Sequence, residues 1–127
     1  MKGWRLVVGI AASLLVLANG VMHTLFGWKA MRAPLDAAGL APDVITNLGL
    51  GWTFGGVAMF GFGAIAIASF LARRANPQAS LGPVAIIALA YVLFGLGALA
   101  SSGFNPFFLV FIVPGLLLGI AAWPARA

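Results

Sequence analysis

His23 is the only histidine in the 127 residues, and no other side chain of the chain titrates near neutrality. It lies within an apolar run, where an ionisable group is costly enough to be a functional candidate. Asn19 precedes it by four residues and so shares its helical face. A second apolar stretch holds Asn47, Trp52 and Thr53. Asn19, His23, Asn47, Trp52 and Thr53 are together the expected lining of a ligand pocket. A neutral imidazole offers one donor and one acceptor. His23 is then able to bond Asn19 or Asn47 through one nitrogen and a ligand through the other. The bland reading gives the same bonds a purely helix-joining role. The imidazole also suits one axial bond to haem iron, or a bis-histidine site across a dimer. The main expectation is no cofactor, with haem through His23 as the alternative. Tyr91, the single tyrosine, reads as a packing residue with a satisfied hydroxyl.

Much chemistry is excluded by what the chain lacks. It has no Cys, which removes disulfides, thiolate catalysis, Cys-ligated zinc and iron–sulfur clusters. One His and two carboxylates cannot build a zinc or di-iron centre within one chain. The two acids, Asp36 and Asp43, stand in a loop between apolar runs, so no Ser/His/Asp constellation forms inside a membrane. No phosphate-binding Gly loop ends in Lys-Ser/Thr, and no buried carboxylate is present to couple protons to export. The net charge of +5 is spread over seven scattered Lys and Arg, which argues against nucleic-acid binding.

The elements that position these residues follow from composition. Hydrophobic residues are 63% of the chain and charged ones 7%, too few to cover a soluble domain. The mean hydropathy of +1.12 makes lipid the main solvent. A span needs ~20 apolar residues, so residues 1–127 hold one domain: an all-α, polytopic membrane protein with four transmembrane helices in an up-down bundle. The expected spans are 6–28, 44–71, 83–100 and 106–123. Lys2 and Arg5 ahead of an apolar run resemble a signal peptide. The run resumes past Gly20 through Trp28, so an uncleaved first span is expected. Between spans 1 and 2, Pro34 is expected to start, and Gly39 to end, a short interfacial helix carrying an Arg32–Asp36 pair. Asp43 is the expected N-cap of span 2.

With four spans, Lys2, Arg5, Arg73, Arg74 and Arg126 share one side, and Lys29 and Arg32 the other. Positive charge marks the cytoplasm, so both termini are expected inside a bacterial inner membrane. Trp28 and Asp43 then mark the outer boundary. Measured inward from them, the polar group lies in the outer half, with Trp52 and Asn19 deepest at ~13 Å. Gly51 with Gly55, and Gly115 with Gly119, have small-xxx-small spacing. They are expected to pack the bundle, with a homo-oligomer or membrane-complex interface as the alternative.

The Asn19–His23 pair, the 34–39 outer loop, the Gly-rich second span with Trp52 and two short final spans resemble the small DoxX-like four-helix proteins of bacterial inner membranes. The resemblance implies the layout alone and carries no residue role. Fluoride channels share the length and span number, but their Gly-Gly…Arg and Thr-Phe-Ser-Thr signatures are missing here. The expected function is a non-catalytic accessory subunit, or a binder of a small hydrophobic ligand in an outer-leaflet pocket. The alternatives are a small enzyme or haem protein using His23, and an oligomeric channel or transporter.

Overall fold

The computed structural model describes residues 3–123; Lys2 and Arg126, used in the charge count, lie outside them. Every element among the described residues is helical. Helix α1 is Gly3–Met22, a π-helical turn follows at His23–Gly27, and α2 is Trp28–Ala37. Then come α3 (Pro42–Ala75), α4 (Gly82–Ser101), a 3-10 turn at Pro106–Phe108, and α5 (Leu109–Ala122). Three helical stretches are long and apolar enough to cross a membrane: Gly3–Ala37, Pro42–Ala75 and Gly82–Ser101. The last, Pro106–Ala122, is apolar but shorter.

The region between the first two spans departs from expectation. There is no separate interfacial helix starting at Pro34. Instead the first helix runs unbroken through the π turn and past Pro34 to Ala37. No breaker separates Trp28 from Ala33, and the carbonyl that Pro34 leaves without an N–H lies on an exposed turn. The helix stops where Gly39 takes φ +68°, a conformation that suits glycine. Arg32 and Asp36 do pair, at 3.3 Å, but with both side chains about half exposed the pair adds little stability. Asp43 is not the cap of α3 either: Ala41 holds that place, and Pro42 opens the helix.

Glycines set how closely the helices approach. A Cβ on Gly20 would stand 2.7 Å from the Gly56 carbonyl oxygen, and one on Gly63 2.8 Å from the Leu17 backbone nitrogen. These contacts, with Gly9 under Phe70 and Gly49 under Trp28, bind α1 and α2 to α3 in antiparallel register. The second seam joins α4 to α5, where Gly95 meets Ile112 and Gly115 meets Tyr91. The expected pairs are therefore only partly the working ones. Gly51 faces open space, Gly55 abuts His23, Gly115 is tightly packed and Gly119 makes only ordinary contact.

The buried core is Ala12, Val16, Ala66, Phe70, Val84, Ile87, Ala88, Tyr91, Phe111, Leu118 and Ala121. By the register of the seams, nearly all of it lies in the half of the bundle near Arg5. Outside, large apolar side chains are bare, Val7, Phe54 and Ile86 among them. A continuous apolar exterior of this kind needs lipid or a partner.

Candidate functional site

The π turn organises the region around His23. Packing against α3 requires Gly20, Thr24 and Trp28 to share one face. Eight residues of ideal helix would carry Trp28 roughly 80° away from Gly20. One extra residue in a π turn takes back about 100°, leaving the two within about 20°. The backbone bond from Trp28 N–H to the His23 carbonyl closes the turn. That carbonyl also accepts the indole N–H of Trp52, at 2.7 Å across to α3. The Trp52 ring lies flat on the imidazole, with centroids 4.3 Å apart and planes 2° from parallel. Trp28 closes the group, 6.2 Å from Trp52 and tilted by 44°.

The five expected lining residues fare differently. His23 and Trp52 are brought together. Asn19 turns away from them, and its amide donates to the Val110 carbonyl of α5 at 2.8 Å. Pro114 has no N–H to offer that carbonyl four residues earlier, so the side chain replaces a missing backbone bond. Asn47 is exposed and lies roughly 140° around α3 from Trp52. Thr53 lines a groove on another face of α3. The depth scale also changes. Gly49, not Asp43, stands opposite Trp28, so Asn47 sits beyond the Trp28 level and Trp52 only about 5 Å inside it.

The groove that holds Thr53 was not legible from spacing. It runs between α2 and α3, has a volume of about 530 Å³, and combines Trp28, Ile45 and Leu50 with Arg32, Asp36 and Thr46. An apolar wall thus meets a cation and an anion at one end. A narrower cleft of about 240 Å³ lies between α3 and the α4–α5 pair, lined by Gly55, Met59, Phe62, Tyr91, Phe94 and Phe111. Contrary to expectation, the Tyr91 hydroxyl beside it is not satisfied: it is buried with no hydrogen-bond partner among the described residues. No cluster of three or more metal-ligating side chains exists among the described residues. Comparison of the chain with protein-family models, curated proteins and solved structures finds no match in any of the three.

Proposed function

We propose that this is a four-span protein of a bacterial inner membrane, both termini cytoplasmic, that binds a zwitterionic amphiphile of the outer leaflet without catalysing its conversion. Two belts support the membrane placement. Trp4, Arg5, Arg73, Arg74 and Trp123 gather at one end, where the Arg5 guanidinium donates to the Trp123 carbonyl. Trp28, Trp52, Lys29 and Arg32 gather at the other. Arg5 and Lys29 are 24 residues apart, about 36 Å of helix, enough to enclose a hydrocarbon layer of ~30 Å. Arg and Trp at such levels are interfacial anchors. Beyond the outer belt, α2 and the start of α3 project by about 14 Å.

The observation that carries the function is the α2–α3 groove at that outer level. Its Trp28 wall suits an acyl chain or glycerol backbone. Arg32 and Asp36, with the Thr46 hydroxyl near, match the opposite charges of a zwitterionic head. The test is native mass spectrometry of the detergent-purified protein given lysophosphatidylethanolamine. One molecule per chain should be retained. Arg32→Ala should weaken retention about tenfold, because it removes a charge-assisted contact. Gly49→Leu should do the same by displacing Trp28. Equal retention by parent and both variants would overturn the proposal. A haem absorption band abolished by His23→Ala would replace it with the haem reading, and ion flux in liposomes with the channel reading.

A further inference from the structure

A groove runs between α4 and α5 at the opposite end of the molecule from the α2–α3 groove, with a volume of about 670 Å³. Ala88 of α4 and Gly115 and Gly119 of α5 make its floor. The floor lies low because Gly119 has no side chain: a Cβ there would stand 3.8 Å from that of Ala88, in ordinary contact. Leu89 and Ile120 rise on either side, both exposed. Apart from Arg5 and Trp123, the lining is Ala, Gly, Val, Leu and Ile alone. From Gly115 to Trp123 the groove covers about 12 Å of helix, most of one leaflet of a ~30 Å hydrocarbon layer. Walls so free of polar atoms suit an extended hydrocarbon chain.

The single charge on the groove is Arg5, at the Trp123 end. Its guanidinium donates to the Trp123 carbonyl at 2.6 Å and lies 5.6 Å from the Trp4 ring centroid. The bond to Trp123 fixes the group at the mouth of the groove and takes one of its five N–H donors. Asp36 and Asp43 are the only acidic side chains of the sequence, and both stand at the far end of the bundle. No side-chain carboxylate therefore neutralises Arg5. On the membrane placement proposed above, it lies at the level of the inner leaflet's head groups.

Charge complementarity selects the occupant. A guanidinium presents a planar fork that matches a phosphate, and the groove leads from it toward mid-bilayer, as an acyl chain leads from its head. A free phosphate would leave the apolar walls bare. An ammonium head would be repelled by Arg5 and find no acid, unlike in the outer groove, where Asp36 stands beside Arg32. A second copy of the chain, in the same membrane orientation, would set two Arg5 side chains at one level with no acid between them, and like charges so placed oppose the contact. The step rests on the membrane placement but not on the outer groove.

We infer that the α4–α5 groove holds an acyl chain of an anionic phospholipid of the inner leaflet, whose phosphate accepts hydrogen bonds from the Arg5 guanidinium. The test is native mass spectrometry of the detergent-purified chain titrated with phosphatidylglycerol, with diacylglycerol of the same acyl chains as the uncharged control. The parent should retain one phosphatidylglycerol per chain and prefer it to diacylglycerol by about fivefold, the scale of one cation acting on an anionic lipid. Arg5→Gln should erase the preference, and Arg5→Lys should keep most of it. Gly119→Leu should fill the groove and weaken both lipids together. Because it leaves the guanidinium in place, it decides the matter alone if Arg5→Gln does not fold. Arg74→Gln removes an exposed cation at the same end, and Arg32→Ala one in the outer groove; each should leave retention of phosphatidylglycerol unchanged. The inference fails if the parent holds both lipids alike, if Arg5→Gln keeps the preference, or if Gly119→Leu retains lipid as the parent does. It fails if Arg74→Gln or Arg32→Ala lowers retention as much as Arg5→Gln, which would place the lipid elsewhere. Displacement of the lipid by glycerol phosphate, the head without chains, would reduce the site to a free-anion site. A dimeric parent that Gly119→Leu separates would give the groove to a second copy.

Discussion

Asn19 shows how a residue chosen for one chemistry can serve another. Spacing placed it beside His23, and the two do leave the first helix one turn apart, Asn19 from α1 and His23 from the π turn. Its partner, however, is a carbonyl 91 residues away, exposed to need because of Pro114. Local spacing holds no sign of that pairing. The account predicts that Asn19→Leu lowers stability in detergent by about 1 kcal/mol, the cost of leaving the Val110 carbonyl unpaired within the apolar layer. In a Pro114→Ala background the helix can make its own bond to Val110, and the same substitution should cost less than half as much. A double-mutant cycle of thermal melts checks this. Equal costs in both backgrounds would show that Asn19 stabilises by something other than the orphaned carbonyl. The pairing of Trp52 with His23 fits their expected closeness, but the depth of Trp52 was not legible, because the boundary was drawn at Asp43 rather than at Gly49.

At the scale of elements, the apolar periods located the four helical stretches to within four residues except at the end of the first, which runs on from Trp28 to Ala37, and the small-residue spacing located the seams only coarsely. Gly51 and Gly55 satisfied the four-residue rule, yet the contact face of α3 is carried by Gly49, Gly56 and Gly63. That face was hidden because α3 is apolar all round, so no polar side marks the outside. Gly56→Leu should therefore cost about 2 kcal/mol or more, since it would force α1 and α3 apart at Gly20 and Thr24. Gly51→Leu should change stability by less than ~0.5 kcal/mol. A Gly51 variant as damaged as the Gly56 variant would mean that the seam has been misplaced. The π turn left no mark in the sequence. It arises from the need to keep Trp28 over Gly49 across a pairing longer than an ideal helix can hold in phase. Trp52→Phe removes the donor to the His23 carbonyl while keeping the stacked ring. A loss of about 1 kcal/mol is expected, read by the same melts.

For the molecule as a whole, the lack of charge pointed to helices long and apolar enough to cross a membrane, and three such helices are present; the split of Lys and Arg suggested an orientation. What they could not reveal is the unequal length of the two helix pairs. Helices α1 and α2 with α3 form a hairpin of 35 and 34 residues, while α4 spans 20 residues and the last apolar helix is shorter. The long pair therefore outruns the short pair, the core collects in the half near Arg5, and the outer groove and the side cleft both arise from the mismatch. The absence of native Cys allows the placement to be tested by single substitutions. The variants are Ala38→Cys, Ser102→Cys and Gln78→Cys, treated in intact cells with a membrane-impermeant maleimide. Ala38→Cys and Ser102→Cys should label at once, and Gln78→Cys only after the membrane is opened. Labelling of Gln78→Cys from outside, with the other two protected, would invert the molecule, move the α2–α3 groove to the cytoplasmic face, and contradict an outer-leaflet ligand.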